Sequence, residues 1–150
     1  MSAVGEDLSA RARAQLAMNV TPRSYEAVRR LWITHAKAEL TRDIEGLIAT
    51  LTPDCVYELV GTGERWEGHE GARAFYGGFF EAFPDSDIRA TDLVIGPQGV
   101  SLVAEMRATH LGRWRGAEPT GKPIHLQFIV HFPWDEATER FTGERIWFAR

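Results

Sequence analysis

The side chains able to move a proton are few in this chain and oddly placed. His35, His110 and Glu144 each fall on a face that the neighbouring residues mark as apolar. The pair Tyr57-Glu58 adds one of its two members but not both, because adjacent strand residues point to opposite faces. A carboxylate or imidazole in a low-dielectric pocket shifts its pKa, Glu upward and His downward, so either approaches neutrality and suits general acid–base work. The plain alternative for each is a buried polar group satisfied by one hydrogen bond. Glu58 can instead pair with an arginine, Tyr57 can simply pack, and Glu144 can sit at a solvated strand start. The pattern implies no metal: His, Asp and Glu are scattered without ligand spacing, and the single Cys55 excludes a multi-cysteine site and an intrachain disulfide. Gly61-x-Gly63 is too short for a phosphate loop.

Positioning these groups falls to helices first and strands after. Pro22 and the capping-type Ser24 open an amphipathic helix in which Val28, Leu31, Trp32 and His35 follow i, i+3, i+4, i+7 spacing. Glu39 continues that stripe, which is out of place on a plain core face. A short helix is expected over Ile44–Leu51, ended by Pro53, then a strand over Cys55–Val60 that stops at Gly61-Thr62-Gly63. A third helix over His69–Phe83 is apolar at Ala72, Phe75, Tyr76, Phe79 and Phe80, with Gly77-Gly78 inside it. Strands follow over Asp87–Ile95, Val100–His110, Lys122–Phe132 and Arg140–Phe148. This order means α+β. The glycine-rich loop Gly112–Lys122 between two long strands implies a cone-shaped, curved, mostly antiparallel sheet wrapped over the N-terminal helices and enclosing a pocket. Residues 1–20 read as an N-terminal arm, with a short helix over Leu8–Met18, and 21–150 as one domain.

Parity sorts the strands. Val100, Leu102, Ala104, Met106, Ala108 and His110 share the buried face of one strand, and Ile124, Leu126, Phe128, Val130 and Phe132 that of the next. Glu144, Ile146 and Phe148 share a face of the last. His125 points away from the pocket unless a bulge flips its strand. Hydrophobic residues make up 44% and charged residues 25%, an ordinary globular balance for one domain. Net charge is −4 and no basic stripe is visible, which argues against nucleic acid as a partner. No apolar run reaches membrane-span length, and Arg11 and Arg13 interrupt the Ala-rich N-terminus, so neither a membrane nor a signal peptide is expected and the cytoplasm is the expected location.

Three segments carry a resemblance: Asp54-Cys55-Val56-Tyr57-Glu58; Trp66-Glu67-Gly68-x-Glu70-Gly71-x-x-x-Phe75-Tyr76; and Thr109-His110-x-Gly112-x-Trp114-x-Gly116-x-x-Pro119-Thr120-Gly121-Lys122. Together they resemble the SnoaL-like polyketide-cyclase branch of the nuclear-transport-factor-2-like superfamily, over roughly residues 25–148. The third segment is the most specific. The resemblance implies a conical α+β fold, a deep apolar pocket and a homodimer through the sheet. Its members include polyketide cyclases, ketosteroid isomerases, limonene-type epoxide hydrolases, dehydratases and non-catalytic binders, so fold alone does not choose the reaction. Alignment of the last strand puts Ile146 where epoxide hydrolases of the limonene type carry their aspartate, which argues against that activity. The strand after Pro119-Thr120-Gly121 carries no carboxylate where the cyclases have one, and His125 is its only stand-in.

The reading is a cofactor-independent enzyme that abstracts a proton beside a carbonyl of an apolar, oxygenated small molecule, leading to cyclisation, isomerisation or dehydration. Glu144 or Glu58 would be the base, with His110 and Tyr57 as donors to the oxyanion and His125 in reserve. His35 and Trp32 from the helix, and Met106, Leu126, Phe128, Ile146 and Phe148 from the sheet, would meet the ligand. The alternative is a protein that binds a hydrophobic ligand in the same pocket without reaction. A third possibility is an interaction domain whose pocket is filled by its five Trp and eight Phe.

Overall fold

The computed structural model describes residues 7–149, so the first six residues of the expected arm lie outside the described residues. The chain begins with α1 (Ala10–Leu16), which buries none of its side chains and touches the body where Gln98 Nε2 donates to the Gln15 carbonyl at 3.1 Å. Helix α2 (Pro22–Leu40) opens at Pro22, as expected, with Thr21 as its N-cap and Ser24 three residues on. Thr21 caps the Ser24 N–H and Ser24 returns a bond to the Thr21 N–H, a reciprocal capping box that satisfies two otherwise orphaned donors. Helix α3 (Ile44–Ile48) is shorter than expected, because the chain is already extended at Leu51.

Six strands form one unclosed sheet in the order β2-β1-β6-β5-β4-β3. They are β1 (Leu51–Leu59), β2 (Glu64–Glu67), β3 (Asp87–Gly96), β4 (Gly99–Thr109), β5 (Pro123–Asp135) and β6 (Arg140–Phe148). Helix α4 (Gly68–Ala82) lies between β2 and β3 in the chain. All pairings are antiparallel except β1 with β6, so the sheet is mixed but mostly antiparallel, as expected. Pro53 falls within β1 where the β1–β6 register shifts between Leu51 and Val56. A residue without an N–H is tolerated there because no regular ladder asks for its donor. Strand β2 escapes the sequence reading because its four residues, Glu-Arg-Trp-Glu, are too few and too charged to show an apolar alternation.

Core residues lie between the inner face of the sheet and helices α2, α3 and α4. Met106 pairs with Leu126 and Ala104 with Phe128, in the parity expected. The β4–β5 ladder runs one step beyond the strands: His110 N–H donates to the Lys122 carbonyl at 3.0 Å and Gly121 N–H to the His110 carbonyl at 2.9 Å. Between them the loop folds back on α4. Leu111 and Gly112 N–H both reach the Ala82 carbonyl, at 2.9 and 3.2 Å. A side chain on Gly112 would bring its Cβ to 2.5 Å from the Glu81 carbonyl oxygen. Trp114 and Ala117 then close a tight turn through Arg115 (φ 50) and Gly116 (φ 78), two positive φ values that favour the primed hairpin turn. No helix among the described residues is long and apolar enough to cross a membrane.

Two glycines make opposite predictions. Gly77 lies in α4 with nothing near where a Cβ would sit, and Gly112 is blocked by backbone. Urea unfolding should show Gly77→Ala stabilising by about 0.5–1 kcal/mol. Gly112→Ala should destabilise by about 1–3 kcal/mol.

Candidate functional site

Between α2, α4 and the inner face of the sheet lies a cavity of about 600 Å³. Phe75, Phe79 and Phe80 of α4 form its helical wall, with Phe83 at the helix end and Trp114 packed edge-on to Phe75, Phe79 and Phe83 at 5.8–5.9 Å. The sheet contributes Met106, Leu126, Phe128, Ile146 and Phe148, and Trp32 faces it from α2. Each of these expected ligand contacts therefore lines the chamber, and so do His35, His110 and Glu144.

At the chamber wall the polar groups form a chain whose hydrogens can be placed. Thr50 Oγ1 donates to the Leu47 carbonyl at 2.7 Å, so it accepts from His35 Nδ1, also at 2.7 Å. That fixes a proton on Nδ1. His35 Nε2 lies 3.1 Å from Glu144 Oε1 and 3.1 Å from the Tyr76 hydroxyl. Tyr76 donates to Glu144 Oε1 at 2.7 Å, and Tyr57 reaches the Tyr76 hydroxyl at 2.8 Å. Burial first, and the Glu144 charge second, push both phenols well above their usual range, so both keep their protons. Nε2, the Tyr76 hydroxyl and Oε1 thus meet within 3.1 Å of one another, with Tyr76 bridging the imidazole and the carboxyl group.

Glu144 reaches this position because Gly143 precedes it. Gly143 has φ +127, and any Cβ there would overlap the Val56 backbone where β6 runs beside β1. The register then places Tyr57 opposite Glu144 on the inner side and Glu58 opposite Arg145 on the outer side.

Two polar groups in the chamber lack a protein partner. Glu39, one turn beyond His35 on α2, lines the cavity and has no hydrogen bond or ion pair through its side chain among the described residues. Burial chiefly, and the nearby Glu144 carboxylate next, push its pKa from 4.5 up to about 7, against an opposing pull from His35. His110 Nε2 is buried and has no hydrogen-bond partner. The other ring nitrogen of His110, Nδ1, lies 3.4 Å from Thr120 Oγ1, which also accepts from Lys122 N–H at 3.2 Å.

Other expected residues stand elsewhere. Glu58 lies on the outer face and pairs with Arg145 at 3.2 Å, so it does not enter the chamber as a base. His125 is exposed and meets Glu105 at 3.2 Å; β5 has no bulge there, so the parity that turns it outward holds. Tyr57 is fully buried but stands behind Tyr76, outside the cavity lining. Any effect of Tyr57 on a ligand passes through Tyr76. Sequence reasoning noticed Glu39 on the His35 stripe without assigning it a role, and took Tyr76 as an apolar helix residue. The i, i+4 relation of Glu39 to His35 was the available signal. Among the described residues no group of three or more His, Cys, Asp or Glu is placed to hold a metal ion.

Comparison with known proteins gives a consistent picture of the fold. The family model described as a SnoaL-like domain matches residues 32–142. No curated protein matches the sequence. Among solved structures, a candidate SnoaL-like polyketide cyclase from Jannaschia sp. superposes with a TM-score of 0.70 at 19% identity, covering 88% of this chain and 91% of its own. A candidate ketosteroid isomerase from Kribbella flavida gives 0.61 at 21% identity, covering 85% and 81%. A candidate hydroxylase from Streptomyces galilaeus, AclR, gives 0.66 at 19% identity, covering 83% and 76%. At such identities the fold carries over, and the chemistry has to be read from this chain's own side chains.

The Glu39 shift has a consequence for stability. Its folded-state pKa of about 7 exceeds the ordinary 4.5, so folding favours the protonated form. That contribution is complete below pH 4.5 and is lost as pH rises through 7. Thermal melts across this range should show Glu39→Gln gaining on the unmodified chain as pH rises, with the Tm difference levelling off above neutrality.

Proposed function

The chain belongs to the SnoaL-like domain family, and on that premise we propose that it is a cofactor-independent enzyme acting on an apolar, oxygenated small molecule. The reaction begins with removal of a proton from carbon beside a carbonyl and leads to cyclisation, isomerisation or dehydration. The observation that carries this reading is Glu39: a carboxyl group open to an apolar chamber, unclaimed by the protein, with a pKa near neutrality. A general base works best when its pKa lies near the working pH.

Glu39, and not Glu144, is the proton carrier in this proposal. Glu144 Oε1 already accepts from Tyr76 and lies 3.1 Å from His35 Nε2. Its role is to keep the Glu39 pKa high and the chamber wall rigid. In the ionised state Glu39 accepts the proton from carbon. The electron pair of the C–H bond moves into the C–C bond, and that of the carbonyl moves onto its oxygen. His110 Nε2, which no protein group claims, carries the imidazole hydrogen in this proposal and donates it to the developing oxyanion. Protonated Glu39 then returns its proton at another carbon, or to a departing hydroxyl in a dehydration. Water is kept away by the aromatic wall and Trp114.

A second reading keeps the ligand and omits the reaction. It is favoured by the engagement of Glu144, the acid nearest the sequence-level expectation. The homodimer through the sheet also stays in the proposal: Val103, Ile129 and Trp147 lie in register across β4, β5 and β6 on the outer face, with Val103 and Ile129 exposed. Sedimentation equilibrium tests it, and a monomer at all concentrations would contradict it.

Hydrogen–deuterium exchange at the carbon beside the carbonyl of 2-tetralone, followed by NMR, separates enzyme from carrier. The unmodified protein should accelerate exchange, and Glu39→Gln should lose about 10²-fold or more of that acceleration while still binding the ketone. Binding without acceleration would favour the carrier. Undiminished exchange in Glu39→Gln would remove Glu39 from the mechanism.

A further inference from the structure

We propose that the mouth of the chamber recognises a carboxylate head group on an otherwise apolar ligand, through Arg42 with the Ser86 hydroxyl beside it. This deepens the reading of the chamber as a ligand site by naming the class of molecule. The backbone supplies the first observation. Helix α2 ends in a Schellman motif: Asp43 N–H reaches the Ala38 carbonyl at 2.8 Å and Arg42 N–H the Glu39 carbonyl at 3.0 Å. The left-handed position of that motif is normally glycine, yet this chain places Arg42 there at φ +56. Glycine would hold the same turn with less strain, so the arginine side chain is kept for something other than the turn.

What the side chain touches supplies the second. Arg42 lines the chamber and lies over the Phe80 ring at 5.3 Å. Its Nη1 reaches the Phe83 carbonyl and its Nη2 the Ser86 hydroxyl, both at a long 3.5 Å. Among the described residues it has no ion pair. Asp85 is near enough to feel the guanidinium, but its two oxygens go to the Thr109 N–H and hydroxyl at 2.8 and 2.7 Å. The other arginine that lines the chamber, Arg115, is committed to Glu64. Arg42 is thus the cation in the chamber lining that has no carboxylate partner among the described residues.

The third observation is convergence at one corner. Ser86 lines the same chamber, and His110, whose Nε2 has no partner, packs against the Phe83 ring at 5.5 Å, the residue whose carbonyl Arg42 touches. A planar fork of donors with one hydroxyl beside it suits a carboxylate in two-point contact. One unpaired guanidinium is a poor match for a doubly charged phosphate. Glu39 shares the chamber, and its raised pKa keeps it largely protonated in mildly acidic solution, where it does not repel an anion.

Calorimetric titration with 2-naphthoate and its neutral counterpart 2-naphthamide, at about pH 6, tests the assignment, since a carboxylate is ionised there. The unmodified protein should bind naphthoate about tenfold or more tightly than naphthamide. Arg42→Gly should erase that preference, bringing the two affinities to within about twofold of each other, and should raise Tm, because glycine relieves the left-handed residue. The rise in Tm separates loss of recognition from loss of folding, and the ratio in the unmodified protein stands without any variant. Equal affinity for the two probes, binding of neither, or a preference that survives in Arg42→Gly would overturn the proposal. Proton exchange of 2-tetralone, which has no charge for Arg42 to read, would still report on the catalytic reading separately.

Discussion

One buried contact ties this structure together. His35 Nε2 and Glu144 Oε1 stand 3.1 Å apart, and the bonds of Thr50, Tyr76 and Tyr57 are arranged around them. His35 comes from α2, Tyr76 from α4, Glu144 from β6 and Tyr57 from β1, with Thr50 just ahead of β1. The network therefore ties two helices to the two strands that run parallel. Leaving one partner of such a buried pair alone costs about 3–5 kcal/mol, so the elements are locked in one arrangement. An apolar core could bury as much surface. It would not fix where Glu39 and the aromatic wall stand relative to the sheet.

Satisfaction of that network also defines the site by contrast. Buried polar groups normally find partners. In the chamber the His35, Glu144 and Tyr76 groups do, while the Glu39 carboxyl, His110 Nε2 and most of the Arg42 donors do not. An acid, an imidazole nitrogen and a cation are thus left over in a space lined mainly by Phe, Trp and aliphatic side chains. The network also acts on Glu39: the Glu144 carboxylate raises its pKa and His35 partly offsets that. Structure and proposed chemistry meet at that point, since the group that stabilises the fold also tunes the group that would react.

Much of this was legible in the sequence. Period-two alternation placed the inner faces of β4 and β5 correctly, and the 3.6-residue stripe on α2 found His35. The resemblance carried by the glycine loop gave the family and the conical fold. Less was legible where a property depends on register between distant segments. Choosing Tyr57 over Glu58 requires knowing which residue faces Glu144 across the parallel β1–β6 pair, and parity alone leaves that open. Tyr76 reads as apolar until a carboxylate from 68 residues away meets its hydroxyl. Glu39 stood out as misplaced, but only the bonds made to Glu144 Oε1, and the absence of any to Glu39 among the described residues, set the two acids apart. Arg42 gave no signal at all, because a left-handed φ at a helix end is normally announced by glycine.

The account turns on Glu39 being a carboxyl group lifted toward neutrality by burial and by Glu144. Carbon-13 NMR titration of the glutamate side-chain carboxyls, with Glu39 assigned through Glu39→Gln, measures this directly. The prediction is a Glu39 midpoint of about 7 that moves down in Glu144→Gln. A midpoint at the ordinary 4.5, or one indifferent to Glu144, would contradict the account.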